Sequence, residues 1–200
     1  ASAQLREGQY LTDIGYAIYA SPLKWVIMFA PLAFVFGLSA AINKMSAATA
    51  QLTFYVFALV MGLSLSSIFL IYTGASIIQI FLITSIAFAG LSLYGYTTKK
   101  DLSAMGTFLI MGVIGLIVAS IVNIFLASSA LTFAISVIGV LIFAGLTAYD
   151  TQRIKTDYVA HAQHGDSEWL GKAAIMGALS LYLNFINMFM FLLQLFGNRE

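Results

Sequence analysis

Apolar residues run along this chain in six stretches long enough to cross a bilayer: Leu23–Ile42, Leu52–Tyr72, Ser76–Tyr96, Gly106–Leu126, Leu131–Tyr149 and Ala173–Phe196. A spanning helix needs about 20 mostly apolar residues, which is the length of each stretch. Pro31 sits inside the first and predicts a kink, since proline removes a backbone donor from the helix. The links Thr73–Ala75 and Ala127–Ala130 are short, which forces antiparallel neighbours and a compact helical bundle. The fifth stretch is predicted to continue as helix through Asp150 toward Ile154. Two polar regions remain. Residues 1–20 form a mixed N-terminal segment ahead of a membrane domain over 21–200. Thr151–Lys172 is the longest polar stretch and holds Arg153, Lys155, Asp157, His161, His164, Asp166, Glu168 and Trp169, with the two histidines read as lying in a loop.

Composition agrees with a membrane protein of the all-α class. Hydrophobic residues make up 61% and charged residues 8%, with a mean hydropathy of +0.96. A soluble domain carries roughly 25% charged residues because its surface must face water. The net charge of +1 gives no reason to expect nucleic acid or an acidic substrate. The absence of cysteine excludes disulfides, thiolate metal sites and cysteine nucleophiles. The first residues lack the charged-then-apolar layout of a signal peptide. The chain starts without Met and reads as trimmed at its N-terminus. Lys44, Lys99, Lys100, Arg153, Lys155 and Lys172 follow the first, third and fifth stretches, against Arg6, Lys24 and Arg199 on the opposite side. Six against three predicts that Lys44, Lys99, Lys100 and Arg153 are cytoplasmic, in an inner membrane.

Polar residues inside apolar stretches carry the chemistry. Asp150 is the only acid that continues a hydrophobic helix pattern. A carboxylate beside hydrocarbon is costly unless paired or wetted, so it marks a candidate functional site. In the last stretch Ser180, Asn184, Asn187 and Gln194 lie at spacings of four, three and seven, so they share one helical face. That face must point into the bundle or toward a wet cavity, as a polar pathway or as interhelical glue worth roughly 0.6 kcal/mol per bond. Ser120 and Asn123 share a face in the fourth stretch and predict interhelical hydrogen bonding, with a pathway role as the alternative. Gly37/Ala41 and Gly115/Ala119 are small-residue pairs that permit close helix packing. On composition, Lys44 is an interfacial lysine. His161, His164, Asp157 and Asp166 fit an exposed loop better than a metal site. Tyr94, Tyr96, Tyr149, Tyr158 and Trp169 fit an interfacial aromatic belt.

No H-E-x-x-H helix, G-x-S-x-G elbow, P-loop or dinucleotide-binding glycine motif occurs. A single span-associated acid cannot supply the two carboxylates of an intramembrane aspartyl protease. The chain is therefore not expected to be an enzyme or to hold a cofactor.

GLTAYDTQRIK (Gly145–Lys155) and MGALSLYLNFINMFMFLLQLFG (Met176–Gly197) resemble the C-terminal signature of the Bax inhibitor-1 family. YTTKKDLSAMGTFL (Tyr96–Leu109) and VNIFL (Val122–Leu126) resemble its central region. The resemblance covers nearly everything from Ser21 onward. It implies a seven-helix membrane fold with the last helix in the middle, of which this chain carries six helices and lacks the first. It also implies a pH-sensitive calcium leak channel, gated by two aspartates that share a proton, with a basic latch that pairs with the first aspartate in the open path. Asp150 matches the first aspartate. The second position is occupied by Asn184. Lys44 falls where the latch would be. Calcium enters as a permeant ion, with Asp150 as its candidate contact.

Asn184 cannot titrate. Proton sensing is therefore expected to be weakened or shifted to lower pH, because two neighbouring carboxylates normally raise one another's proton affinity. Calcium passage is expected to weaken as well, since calcium prefers several oxygen ligands with carboxylates among them. The second function the resemblance allows is a membrane interaction protein. It would modulate stress or cell-death responses, or a membrane protease as its partner.

Overall fold

A computed structural model of the chain describes residues 4–6, 9–10, 34–162 and 167–199. Among these residues five helices are long and apolar enough to cross a membrane. Most of the first predicted stretch, residues 23–33 with Pro31, lies outside the described residues, as do His164 and Asp166. The chain divides into two units, residues 1–71 and 72–200.

The first unit opens with a short antiparallel pair, β1 (Gln4–Arg6) and β2 (Gln9–Tyr10), inside the N-terminal polar segment. Residues 34–41 form helix α1, which runs into a 3₁₀ turn, Ile42–Lys44. Ser46 then starts helix α2 (Ala47–Leu65) by accepting the Thr49 amide at 3.2 Å, which satisfies one of the orphan donors of a first turn. A 3₁₀ turn, Ser66–Leu70, continues it.

The second unit holds the remaining helices: α3 (Gly74–Thr97), α4 (Ser103–Leu126), α5 (Ser129–His161) and α6 (Ser167–Phe196). Thr73 caps α3 and Ser128 caps α5, each accepting an amide three residues on. Within this unit α5 packs against α3, α4 and α6, and α6 packs against α5 and α3. The core cluster is Leu109 and Leu116 from α4, Ile135, Ile142, Phe143 and Leu146 from α5, and Met188 from α6. Aromatic edges join α3 to α6, with Phe81 and Phe88 at 5.5 and 5.4 Å from Phe185. Burial is uneven in a way a membrane explains: 39% of the apolar window of α5 is inside, against 11% for α4. Residues such as Phe108, Ile124 and Phe125 stand exposed, where only lipid or another apolar surface can cover them without cost.

Two expectations need correction. Helix continues through Asp150 to Ile154 as expected, but the polar stretch beyond is also mostly helix, because α5 runs on to His161 and α6 begins at Ser167. Neither proline nor glycine interrupts residues 151–162, and local pairs support the extensions: Arg153 on Asp150, Lys172 on Glu168 at 3.5 Å, and the His161 ring stacked on Trp169. The predicted small-residue contacts also differ. Among the described residues nothing lies within 4 Å of where a Cβ would sit at Gly37 or Gly115. The close approaches occur elsewhere. Gly95 of α3 presses on the backbone of Ala148 in α5, and Gly139 and Gly177 receive the Phe191 and Ile154 side chains. A sequence pattern shows which residues share a face, but not which face meets a neighbour.

Candidate functional site

The polar centre of the second unit lies between α5 and α6. Asp150 is 7% exposed and Asn184 4%. Asn184 Nδ2 donates to Asp150 Oδ2 at 2.7 Å across the helix interface. The other carboxylate oxygen, Oδ1, lies 3.2 Å from Nη2 of Arg153, one turn along the same helix. The carboxylate therefore has a buried neutral donor on one side and a cation on the other. This is how a charge at the edge of hydrocarbon is tolerated, since an unpaired one would carry a large desolvation cost. The Arg153 side chain is 42% exposed, so the pair is buried at its acid end and open at its basic end.

The local sequence explains the placement. Thr147 and Thr151 flank Asp150 on α5 and return their hydroxyls to the carbonyls of Phe143 and Thr147, at 2.7 and 2.8 Å. They add polarity without competing for the carboxylate. The close seat of Gly95 on Ala148 draws α3 against α5 two residues before Asp150, and Gly106 seats the Tyr149 ring. A side chain at either glycine would displace the segment that carries the acid.

The other predicted site residues divide. Gln194 accepts from buried Ser136 at 2.7 Å, a second bond between α5 and α6. Asn187 is half-buried and donates to the carbonyl of Leu183 in its own helix at 2.8 Å. Ser180 is half-buried on the same face. The polar face thus reaches α5 at two points, 184 and 194, and turns back on itself between them. Asn123 makes the predicted interhelical bond, donating to Thr132 at 2.7 Å. It also accepts the Ser128 amide at 3.0 Å, and so fastens the α4–α5 turn. There Ala127 adopts a left-handed backbone with φ 48°, a conformation that costs a residue with a Cβ roughly 1 kcal/mol or more. Lys44 ends its 3₁₀ turn exposed, in the first unit. No cluster of three or more metal-ligating side chains occurs among the described residues.

Arg153, an orientation signal in the sequence, is also the counter-ion of Asp150, at an i,i+3 spacing that makes the pair readable. Gln152 carries no such signal. Its side chain donates to the Lys100 carbonyl at 2.7 Å and accepts the Leu102 amide at 2.9 Å, clamping the α3–α4 loop to α5. In that loop Asp101 accepts the Ser103 amide at 2.9 Å, and the Ser103 hydroxyl and amide together hold its carboxyl below the usual aspartate range.

The family model described as inhibitor of apoptosis-promoting Bax1 matches residues 8–200. A protein of Caulobacter vibrioides is 50% identical over 98% of this chain and 78% of its own length. The inner membrane protein YbhL of Escherichia coli K12 is 49% identical over 87% of this chain and 74% of its own. A membrane protein of Streptococcus pyogenes is 40% identical over 84% and 72%.

Proposed function

This chain belongs to the Bax inhibitor-1 family and is a multi-pass protein of the bacterial inner membrane, and from that premise we propose that it is a pH-responsive cation leak path, calcium among its ions, with its gate at Asp150. The observation that carries the reading is the carboxylate of Asp150, buried between α5 and α6 and tied to Asn184 at 2.7 Å, with a half-exposed arginine as its counter-ion. A purely structural ion pair gains most when both partners are packed and fully hydrogen-bonded. Here the basic partner faces an open cavity whose walls include Arg153 but not Asp150. The half-exposed guanidinium is in this reading the plug, and it leaves when the path opens.

In this reading the arrangement is closed. Opening requires Arg153 to move off Asp150 Oδ1, which frees a charge that a cation can use. Asn184 keeps hold of Oδ2 and orients the carboxylate, a role that needs only one amide donor. Protonation of Asp150 removes the charge, so calcium flux falls as the pH drops. Asn184 contributes no second titration, and the response is shallower than a two-carboxylate site would give. The α3–α4 loop and the end of α5 lie on the cytoplasmic side in this account, following the distribution of lysine and arginine. The test is reconstitution in liposomes loaded with a calcium dye. Flux above protein-free liposomes at neutral pH, decreasing toward acid, is expected. Flux equal to that of empty liposomes at every pH overturns the proposal, and leaves the interaction role as the reading to pursue.

A further inference from the structure

Beside the buried acid, on the open side of Arg153, lies a cavity of about 480 Å³ between the α3–α4 loop and α5. Its charged walls are Lys99, Lys100, Arg153 and Lys155 against Asp101 and Asp157. Four cations face two carboxylates, in a chain that has only nine lysines and arginines. The walls keep a surplus of two positive charges, with Asp101 accepting the Ser103 amide at the start of α4 and Asp157 one turn beyond Arg153 on α5.

The cationic wall is built rather than incidental. The Gln152 clamp fixes the backbone on both sides of Asp101, and with it the root of Lys100. Lys155 donates to the Tyr96 carbonyl at 2.8 Å and lies 4.5 Å from the Tyr96 ring centroid, which holds its ammonium at the cavity wall. An ammonium has three donors, so Lys155 keeps N–H groups to offer after its present contact. A volume of this size takes a small polar ligand, and convergent lysine and arginine select phosphate oxygens.

We propose that this cavity binds a phosphate-bearing anion, either a lipid phosphodiester headgroup or free phosphate, held by Lys99, Lys100 and Arg153. The bound anion competes with Asp150 for the Arg153 guanidinium, and so regulates the gate. The binding claim stands on the cavity alone, and the regulatory clause rests on the function proposed above. An arginine cannot keep its geometry on Asp150 Oδ1 while turning its fork to a phosphate in the cavity, so occupancy weakens the ion pair. The expected direction is more flux in the bound state.

The experiment is isothermal titration of the detergent-purified chain with inorganic phosphate, with dihexanoyl phosphatidylglycerol, and with dihexanoyl phosphatidylcholine as a zwitterionic control. The same titrations are run on the Lys99→Gln/Lys100→Gln double variant, whose side chains are exposed at those positions. Binding of phosphate and phosphatidylglycerol, each weakened by roughly 30-fold in the variant, identifies a general phosphate site. Binding of phosphatidylglycerol alone, with the same loss, identifies a lipid headgroup site. No binding of either probe, equal binding of phosphatidylcholine, or affinity unchanged in the variant overturns the proposal. Because the readout is binding, its failure is separate from a failure to conduct ions. A bound anion that leaves liposome flux unchanged in a conducting protein overturns the regulatory clause alone.

Discussion

The interface between α5 and α6 is fastened at two places by side-chain hydrogen bonds of the same length and different character. Toward the end of α6, the Ser136 hydroxyl donates to Gln194 at 2.7 Å. Further along α5, Asn184 donates to Asp150 at 2.7 Å. Between them the contact is apolar, with the Phe143 and Phe191 rings stacked at 6.0 Å and Met188 almost fully buried. The first fastening joins two neutral groups, one of them exposed, and losing it strands little. The second holds a buried charge whose counter-ion opens to a cavity. Equal geometry therefore carries unequal consequence. A neutral bond positions two helices, whereas a bond to a carboxylate also decides whether that charge can be kept beside hydrocarbon.

Four substitutions break or sharpen this contrast. Gly95→Ala has the largest expected effect on stability, about 3 kcal/mol, because the new methyl meets the Ala148 backbone, which cannot turn aside as a side chain could. A much lower thermal midpoint in detergent is the expected result, and an unchanged midpoint would show that α3 has slack beside the charged fastening. Asn184→Leu removes the amide donor and leaves Asp150 with Arg153 alone, a loss of about 2 kcal/mol. Restoring a neutral partner with Asp150→Asn in that background is expected to recover part of the loss, which a mere packing defect at 184 would not allow. Ser136→Ala removes the neutral fastening and costs only about 0.6 kcal/mol. If thermal melts put Ser136→Ala level with Asn184→Leu, the contrast between the two fastenings is gone.

Much of this was legible in the sequence, and the boundary of legibility has physical causes. Hydrophobic length located the five spans that fall among the described residues, because lipid imposes one length on any crossing helix. Asp150 and Asn184 were readable as partners because burial makes an acid and an amide seek each other, and the family resemblance supplied the register. That Asn123 bonds to another helix was legible from the polar face it shares with Ser120 in an apolar stretch, but its partner Thr132 was not. Other features depended on three dimensions. Gln152 reaches a loop 50 and 52 residues away, which no periodicity reveals. Gly95 and Gly139 stand at helix crossings although neither belongs to the small-residue pairs that the pattern selected. The helical extension past Ile154 and the first turns of α6 were obscured by their polarity, since charged helix outside a bilayer resembles loop when hydropathy alone is read.

The central claim is that the carboxylate of Asp150, and not the polar face as a whole, controls passage. Calcium-dye flux across a range of pH, measured side by side for the unaltered chain, Asp150→Asn and Asn184→Asp, tests it most directly. The account predicts flux that falls toward acid in the unaltered chain, a flat profile at low flux for Asp150→Asn, and a steeper pH dependence for Asn184→Asp. Asp150→Asn with the flux and pH profile of the unaltered chain would contradict it.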